Sequence, residues 1–489
     1  MAGNTHIIHR VNLEIDVPEM RLANQVKEDV VRLLYNDILP KLEKYMDTLV
    51  PIDEHVQINQ LNINLENLSA AHFEQEFTQL IVQVFHEKTK KIIESSQIPK
   101  DQTDDEELIK YTKIESTLES FLFFLETGRL PWWSEKSGKL LHEQNLSEVL
   151  NHSTPEFQER LIWLLRENTY ALERLLNQYS FQFIFQHIFA SVRVQKGFAK
   201  EELPVTLIGL LQKFAERKKS EGLTLSKPLI VFTKKVIKQI LNNNGLFSEQ
   251  HVLTIFDEFL AGVASQDTKD QLDFKLLFDE MRMEITSSPL KNQPDSDFPE
   301  IEKVNVSIHE EISEKSKKVE VKEEGVFLDN AGLVLLHPFL SSFFADFDLL
   351  TDGKFKDIES QALAVHLLHY LATKQELAAE YELVMEKFLC NWDPDLPIAR
   401  EVILSEAMKD ESEVLLKAAV GHWTALKNTS PDGLREGFLQ REGKLILNGF
   451  QDRLIIENKA QDVLLSFLPW GYSIFKLPWM ESALYVEWG

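Results

Sequence analysis

The sequence predicts a mainly α-helical protein with small α+β parts, and three observations carry that prediction. Apolar residues recur at helical spacing through most of the chain. Two short stretches near the N-terminus alternate apolar and polar residues with the period of a strand. The end of the chain changes character, with a hairpin signal and a closing strand.

The first strand is read in "RVNLEIDV", where Val11, Leu13, Ile15 and Val17 alternate with polar partners. A helix follows over 19–49, with Val26, Val30, Leu33, Leu34 and Ile38 on one face and Pro40 as the point of a kink or break. "VQINQLNINL" reads as a second strand, with a phase slip at Asn59 and Gln60 that suits a bulge. A helix over 70–93 carries Phe73, Phe77, Leu80, Ile81, Val84 and Phe85. Residues 1–95 therefore read as an N-terminal β-α-β-α module. The polar, acidic stretch 96–113 is expected to be a linker.

From 114 to 290 apolar clusters such as "LESFLFFLETG", "FQERLIWLLREN" and "VLTIFDEFLAGV" recur between short polar breaks, which predicts an all-α middle domain without a fixed-period repeat. Residues 291–324 have few large apolar side chains and many charges, so they are expected to form a charged, flexible linker. A C-terminal α+β domain then spans 325–489, helical through about residue 425. Asn448 and Gly449 stand between "KLIL" and "RLIIE" as in a tight hairpin, and "ALYVEW" supplies a last strand.

Composition narrows the function classes. The chain has 489 residues, 44% of them hydrophobic, with 31 Phe, 18 Gly and 17 Pro, which fits several globular cores and excludes a fibrous protein. The 78 acidic against 52 basic residues give a net charge of −26, which disfavours nucleic acid and anionic membrane surfaces as partners. A single cysteine, Cys390, leaves no intramolecular disulfide and no Cys-rich zinc site. No stretch reaches about 18 consecutive apolar residues, and "MAGNTHIIHRVNLEI" lacks the pattern of a signal peptide, so a cytoplasmic protein is expected.

Candidate chemistry is sparse. There is no G-x-x-x-x-G-K-[ST] loop and no G-x-G-x-x-G after a strand. His366 and His369 share a mostly buried helix but lack the carboxylate of helical metal motifs, so a core or interface role is expected of them. Cys390 has no neighbouring His or Arg to make it reactive, and "DDEE" at 104–107 lacks the spacing of a calcium loop. The stretch "NTSPDGLREGFLQREGKL" offers Ser430 and Asp432 near His422, which admits a hydrolase as a remote alternative. The same residues make a helix start: Ser430 as N-cap, Pro431 at the first helical position, Asp432 toward the dipole, and Gly443 as a left-handed C-cap. No catalytic residue, cofactor or metal is assigned.

Two kinds of residue are candidates for partner binding. Trp132 and Trp133 in "GRLPWWS", and Trp470 and Trp479 in "LPWGYSIFKLPWM", concentrate aromatic area in Pro-stiffened turns that suit either a core or an interface. Arg435, Glu436, Arg441 and Glu442 are expected to form a free charged face on the helix after Ser430.

Several unusual strings occur together. "HIIHRVNLEIDV", "LPKLEKYMDTLVP", "INQLNINLENL" and "FLETGRLPWWS", followed by "GLVLLHPFL", "AVHLLHYLAT", "GHWTALKNTSPDGLREGFLQREGKL", "DVLLSFLPWGYSIFKLPWM" and "LYVEW", resemble the tape measure family of contractile injection systems over residues 1–135 and 326–489. The resemblance implies a structural role in a phage-tail-like particle, where a contractile sheath surrounds a rigid inner tube above a spiked baseplate. It implies an assembly protein that sets the length of tube and sheath, binds inner tube and baseplate or spike-hub proteins, and needs no cofactor. A second copy of the chain is among the partners it allows. The protein would be cytoplasmic during assembly and then lie inside the tube. A baseplate- or cap-associated adaptor or chaperone is the alternative within assembly.

Overall fold

The computed structural model describes residues 6–8, 11–17, 20–49, 54–58, 60–65, 68, 72–95, 108–134, 138–180, 183–188, 325–426, 429–447 and 451–488. The chain divides into two compact units, one of residues 1–121 and 131–153, the other of residues 122–130 and 154–489.

In the first unit, helix α1 (Met20–Leu33) runs through a π turn (Leu34–Ile38) into α2 (Leu39–Leu49). Pro40 stands at the second residue of α2. Its missing N–H and its ring disfavour the regular bond to the carbonyl four residues back, and the wide turn just ahead of it absorbs that disruption without ending the helix. Val30, Leu33, Ile38 and Leu42 are buried against Phe77 and Ile81 of α3 (Phe73–Ser95). The helical stripe on α3 is narrower than its sequence suggests, because Leu80 is exposed. Strands β1 (Glu54–Ile58) and β2 (Leu108–Thr112) pair antiparallel, with Glu54 opposite Thr112 and Ile58 opposite Leu108. Beyond β2 come α4 (Lys113–Thr127), whose residues from Leu122 onward belong to the second unit, and, after a break, α5 (Glu143–Leu150).

Three sequence expectations for this region are corrected. Residues 11–17 alternate like a strand but have no sheet partner among the described residues, and Val11, Leu13 and Ile15 are exposed. Alternation marks strand competence, whereas a strand exists only where a neighbour takes its N–H and C=O groups. The second strand stops at Ile58 rather than continuing to Leu65. Its partner β2 lies inside the stretch read as a linker, since the acidic run ahead of it hid "LIKYT".

The second unit contains α6 (Pro155–Glu167) and α7 (Thr169–Gln178), both capped as their sequences allow. Thr154 Oγ1 accepts from the N–H of Phe157, and Asn168 Oδ1 accepts from Tyr170 and Ala171. Most of the expected middle domain, and all of 291–324, fall outside the described residues.

The C-terminal part opens with a strand, β3 (Val326–Leu328), where a helix is expected. There follow α8 (His337–Asp346), a small hairpin of β4 (Leu350–Thr351) and β5 (Lys354–Phe355), α9 (Ile358–Thr373), α10 (Val384–Leu389), α11 (Glu406–His422) and α12 (Pro431–Leu434). Strands β6 (Gly443–Ile446), β7 (Asp452–Ile456), β8 (Ile474–Phe475) and β9 (Leu484–Trp488) complete a five-stranded mixed sheet in the order β3-β6-β7-β9-β8. β7 and β9 run parallel and the other pairs antiparallel, so the last strand returns beside the hairpin through the segment that carries the aromatic turns. The β6–β7 pairing is the one expected, although its turn at 448–450 lies outside the described residues.

The core of this unit is centred on α9, of which Ala364, Val365, Leu367, Leu368, Leu371 and Ala372 are wholly buried. Gly332 fits only without a side chain, because an added Cβ would lie 1.7 Å from the carbonyl oxygen of Phe438. Gly443 is corrected from a left-handed helix cap to the first residue of β6. Its smallness admits close packing, with an added Cβ only 2.8 Å from that of Ala331.

Candidate partner-binding site

The loop before α12 folds as its sequence dictates. Ser430 Oγ accepts from the N–H of Gly433 at 3.1 Å, Pro431 takes the first helical position, and the Thr429 hydroxyl donates to the Leu426 carbonyl. The Ser430 oxygen is thus engaged as a cap, while the exposed ring of His422 stacks on Phe339 at 6.1 Å. α12 passes into a π turn (Arg435–Leu439), and Leu434, Phe438 and Leu439 face the core, with Phe438 4.7 Å from Trp423.

The free charged face expected here is corrected. Arg435 is 2% exposed: it binds Asp432 and Glu413 at 2.6 Å each and donates through Nε to the Leu371 carbonyl at 3.0 Å. Arg441 is fully buried, donating to Asp462 at 2.5 Å and to the Gly437 carbonyl at 2.9 Å, with its guanidinium over the rings of Phe438 and Trp488. Only Glu436 and Glu442 are exposed. The planar fork of arginine satisfies several acceptors at once, which is why it can be buried where its helical position alone suggests solvent.

The aromatic turns divide. Trp479 is 6% exposed, packs on Phe344 and Phe355, and donates to the Leu389 carbonyl at 2.8 Å. Trp470 is half-buried, with its edge on Phe339 and its N–H on the Leu335 carbonyl. Both indoles thus satisfy their polar group while filling the core. Trp132 and Trp133, in the other unit, are half-buried, and Trp133 stacks on Tyr111 at 6.2 Å.

His366 and His369 are buried, as expected. His366 Nε2 is 2.8 Å from the Ala399 carbonyl, and His369 Nδ1 is 3.3 Å from Glu386, which also accepts from Asn330. Among the described residues no group of three or more His, Cys, Asp or Glu is placed to hold a metal. Cys390 is fully buried, and burial followed by the nearby Glu386 carboxylate pushes its thiol well up, away from reactivity. Burial lowers His366 to about 4, against the hydrogen bond to Ala399 that favours its charged form. The folded state therefore prefers neutral His366: its contribution to stability is intact above the unfolded value of about 6.5 and is lost as pH falls toward 4. Stability is expected to drop by about 2–4 kcal/mol over that window, and denaturant titrations of His366→Gln should show a smaller drop.

One open cleft of about 720 Å³ stands beside this framework, lined by Lys459, Val463, Ser466, Tyr472 and Trp488 among others. Asp462 organises it. Its carboxylate holds Arg441 from behind, accepts the N–H of Lys459 at 2.7 Å, and accepts the indole N–H of Trp488 at 3.1 Å. Tyr472 meets Trp488 edge-on at 5.7 Å, and burial, then Asp462, raises its phenol. Val463 and Phe467 stand out from the short 3-10 helix Ala460–Phe467, 71% and 65% exposed. An aromatic wall beside protruding apolar side chains can seat an apolar side chain of a protein partner. Val463, Tyr472 and Trp488 carry no sequence signal of this role, because "DVLLSF" reads as an apolar core stretch and the exposure of Val463 and Phe467 appears only in the fold.

Among the described residues no helix is long and apolar enough to cross a membrane. No curated protein and no solved structure matches the chain. Residues 5–488 match the family model described as contractile injection system tape measure protein. With nearly its whole length so matched, the chain belongs to the contractile injection system tape measure protein family.

Proposed function

We propose that this chain is the structural tape measure of a contractile injection particle and sets the length of its inner tube and sheath. The observation that carries the reading is the family match over residues 5–488, which takes in both compact units. The partners are the inner tube protein and the baseplate or spike-hub proteins, with neither nucleic acid nor membrane, and a second copy of the chain is compatible with the role. The protein acts without catalysis or cofactor, in the cytoplasm during assembly and then inside the tube. Of the expected domain limits, that of the linker 291–324 is retained; the limits at 95 and 113 are crossed by the pairing of β1 with β2, and α7 shares a compact unit with residues 325–489. Assembly of the other particle components without this chain is expected to give no tubes or tubes of scattered length; tubes of the normal single length would overturn the role.

Contact with a partner is assigned to the cleft beside Trp488, to Glu436, and to Trp132 and Trp133 in the other unit. Arg435, Arg441, Trp470 and Trp479 support those contacts from within the fold. Val463→Asp changes an exposed side chain and is expected to leave stability within about 0.5 kcal/mol of the parent. It should lower incorporation into particles at least several-fold, measured by immunoblot of purified particles. Normal incorporation would remove the cleft from the contact surface.

A further inference from the structure

Helix α7 is tied to residues 380–400 by a buried polar joint within one compact unit. Arg174, fully buried, donates to Glu380 at 3.2 Å, to the carbonyls of Leu125 and Glu126 at 3.0 and 2.7 Å, and to the carbonyl of Asp395. Lys387 donates to the same Glu380 oxygen at 2.8 Å and to the carbonyls of Pro394 and Leu396. Gln178 accepts the N–H of Glu380 at 3.0 Å and donates to Ile398 at 2.8 Å. Arg400 closes the joint, its backbone N–H on the Asn177 carbonyl at 3.3 Å and its guanidinium on that of Gln178 at 3.1 Å. Gly128, at φ +76°, leaves room for it, since a Cβ there would lie 2.4 Å from the Glu380 carboxylate.

The joint has a geometric consequence. Residues 177 and 400 are hydrogen-bonded neighbours, so everything between them leaves the joint and returns to it, adding nothing to the end-to-end reach of the chain. A ruler is read by its reach. Resting on the tape measure role, we propose that the joint is a latch: closed, it excludes residues 178–399 from the measured length, and the length the protein reports depends on its release. The device suits release because it is polar and directional. Its groups can be rehydrated when the chain is drawn out, and removing one charged member strands the others without water.

Two experiments test this separately from the role itself. In the first, a protease site placed between Asp295 and Ser296 of the full-length chain is cut in the purified protein. The two fragments are expected to coelute on size exclusion at micromolar concentration, and Arg174→Ala should weaken their association roughly a hundredfold or more. Gln178→Ala, a milder change whose uncut chain is checked for folding by circular dichroism, should weaken it measurably. Fragments of the parent that separate freely would overturn the latch whatever the protein does. In the second, Asn177→Cys with Arg400→Cys is oxidised to lock the joint during assembly, with Asn177→Ser and Arg400→Ser as the unlocked control. The locked chain should give shorter tubes than the control, or none. Tubes of equal length would overturn release of the latch while leaving the tape measure role standing.

Discussion

Replacing Arg174 with alanine is expected to cost the unit that contains it about 3–5 kcal/mol, one of the two largest effects of any single substitution considered for this chain. Arg174 is wholly buried and serves four acceptors drawn from three separated segments. Alanine would leave the carbonyls of Leu125, Glu126 and Asp395 without that donor and return Glu380 to Lys387 alone, although one Glu380 oxygen already has no partner. Burial lowers Lys387 despite the attraction of Glu380, so the remaining pair is poorly placed to hold its charge. Equilibrium unfolding in urea, followed by tryptophan fluorescence, measures the change. A loss below about 1 kcal/mol would mean that water takes over the role of the guanidinium.

Trp479→Ala is expected to cost a similar amount, about 3–5 kcal/mol, for a different reason. The indole fills space between Phe344 and Phe355, and its N–H satisfies the buried carbonyl of Leu389. Removing it opens a cavity and orphans an acceptor together. Trp479→Phe keeps most of the volume and should recover more than half of the loss. The comparison decides between core and interface for this turn: a Trp479→Ala chain as stable as the parent but absent from particles would make Trp479 a contact residue.

What the sequence revealed and what it hid follow a physical divide. Local devices were legible. The Ser430 cap, the structural role of Cys390, the burial of His366 and His369, the pairing of β6 with β7 and the closing strand β9 all depend on residues near in sequence or on simple apolarity. Devices built from distant partners were not. Arg435 and Arg441 look like surface charges until Glu413 and Asp462 arrive from other segments, and Arg174 meets Glu380 across 206 positions. Val11–Val17 fails in the opposite sense: its period is correct for a strand, but no neighbouring strand is supplied among the described residues. Gly443 shows a third limit, because a glycine needed for close packing is written with the same letter as one needed for a left-handed turn. For the candidate contact surface, the half-buried Trp132 and Trp133 stand out in the sequence as an aromatic Pro-Trp turn, whereas the cleft at Tyr472 and Trp488 emerges only when β9 is laid beside the segment that precedes it.

The most direct test of the tape measure role is tube length against chain length. Chains lengthened within 291–324 in steps of about 30 residues, and one shortened by the same amount, would each replace the parent in particle assembly, with tubes measured by electron microscopy. Each step is expected to move the modal length in the direction of the change, by about 45 Å if the added residues are helical and at most roughly 100 Å if they are fully extended. Intact particles that keep one modal length through the whole series, and through a parallel series lengthened between residues 96 and 107, outside the span the joint closes, would contradict it.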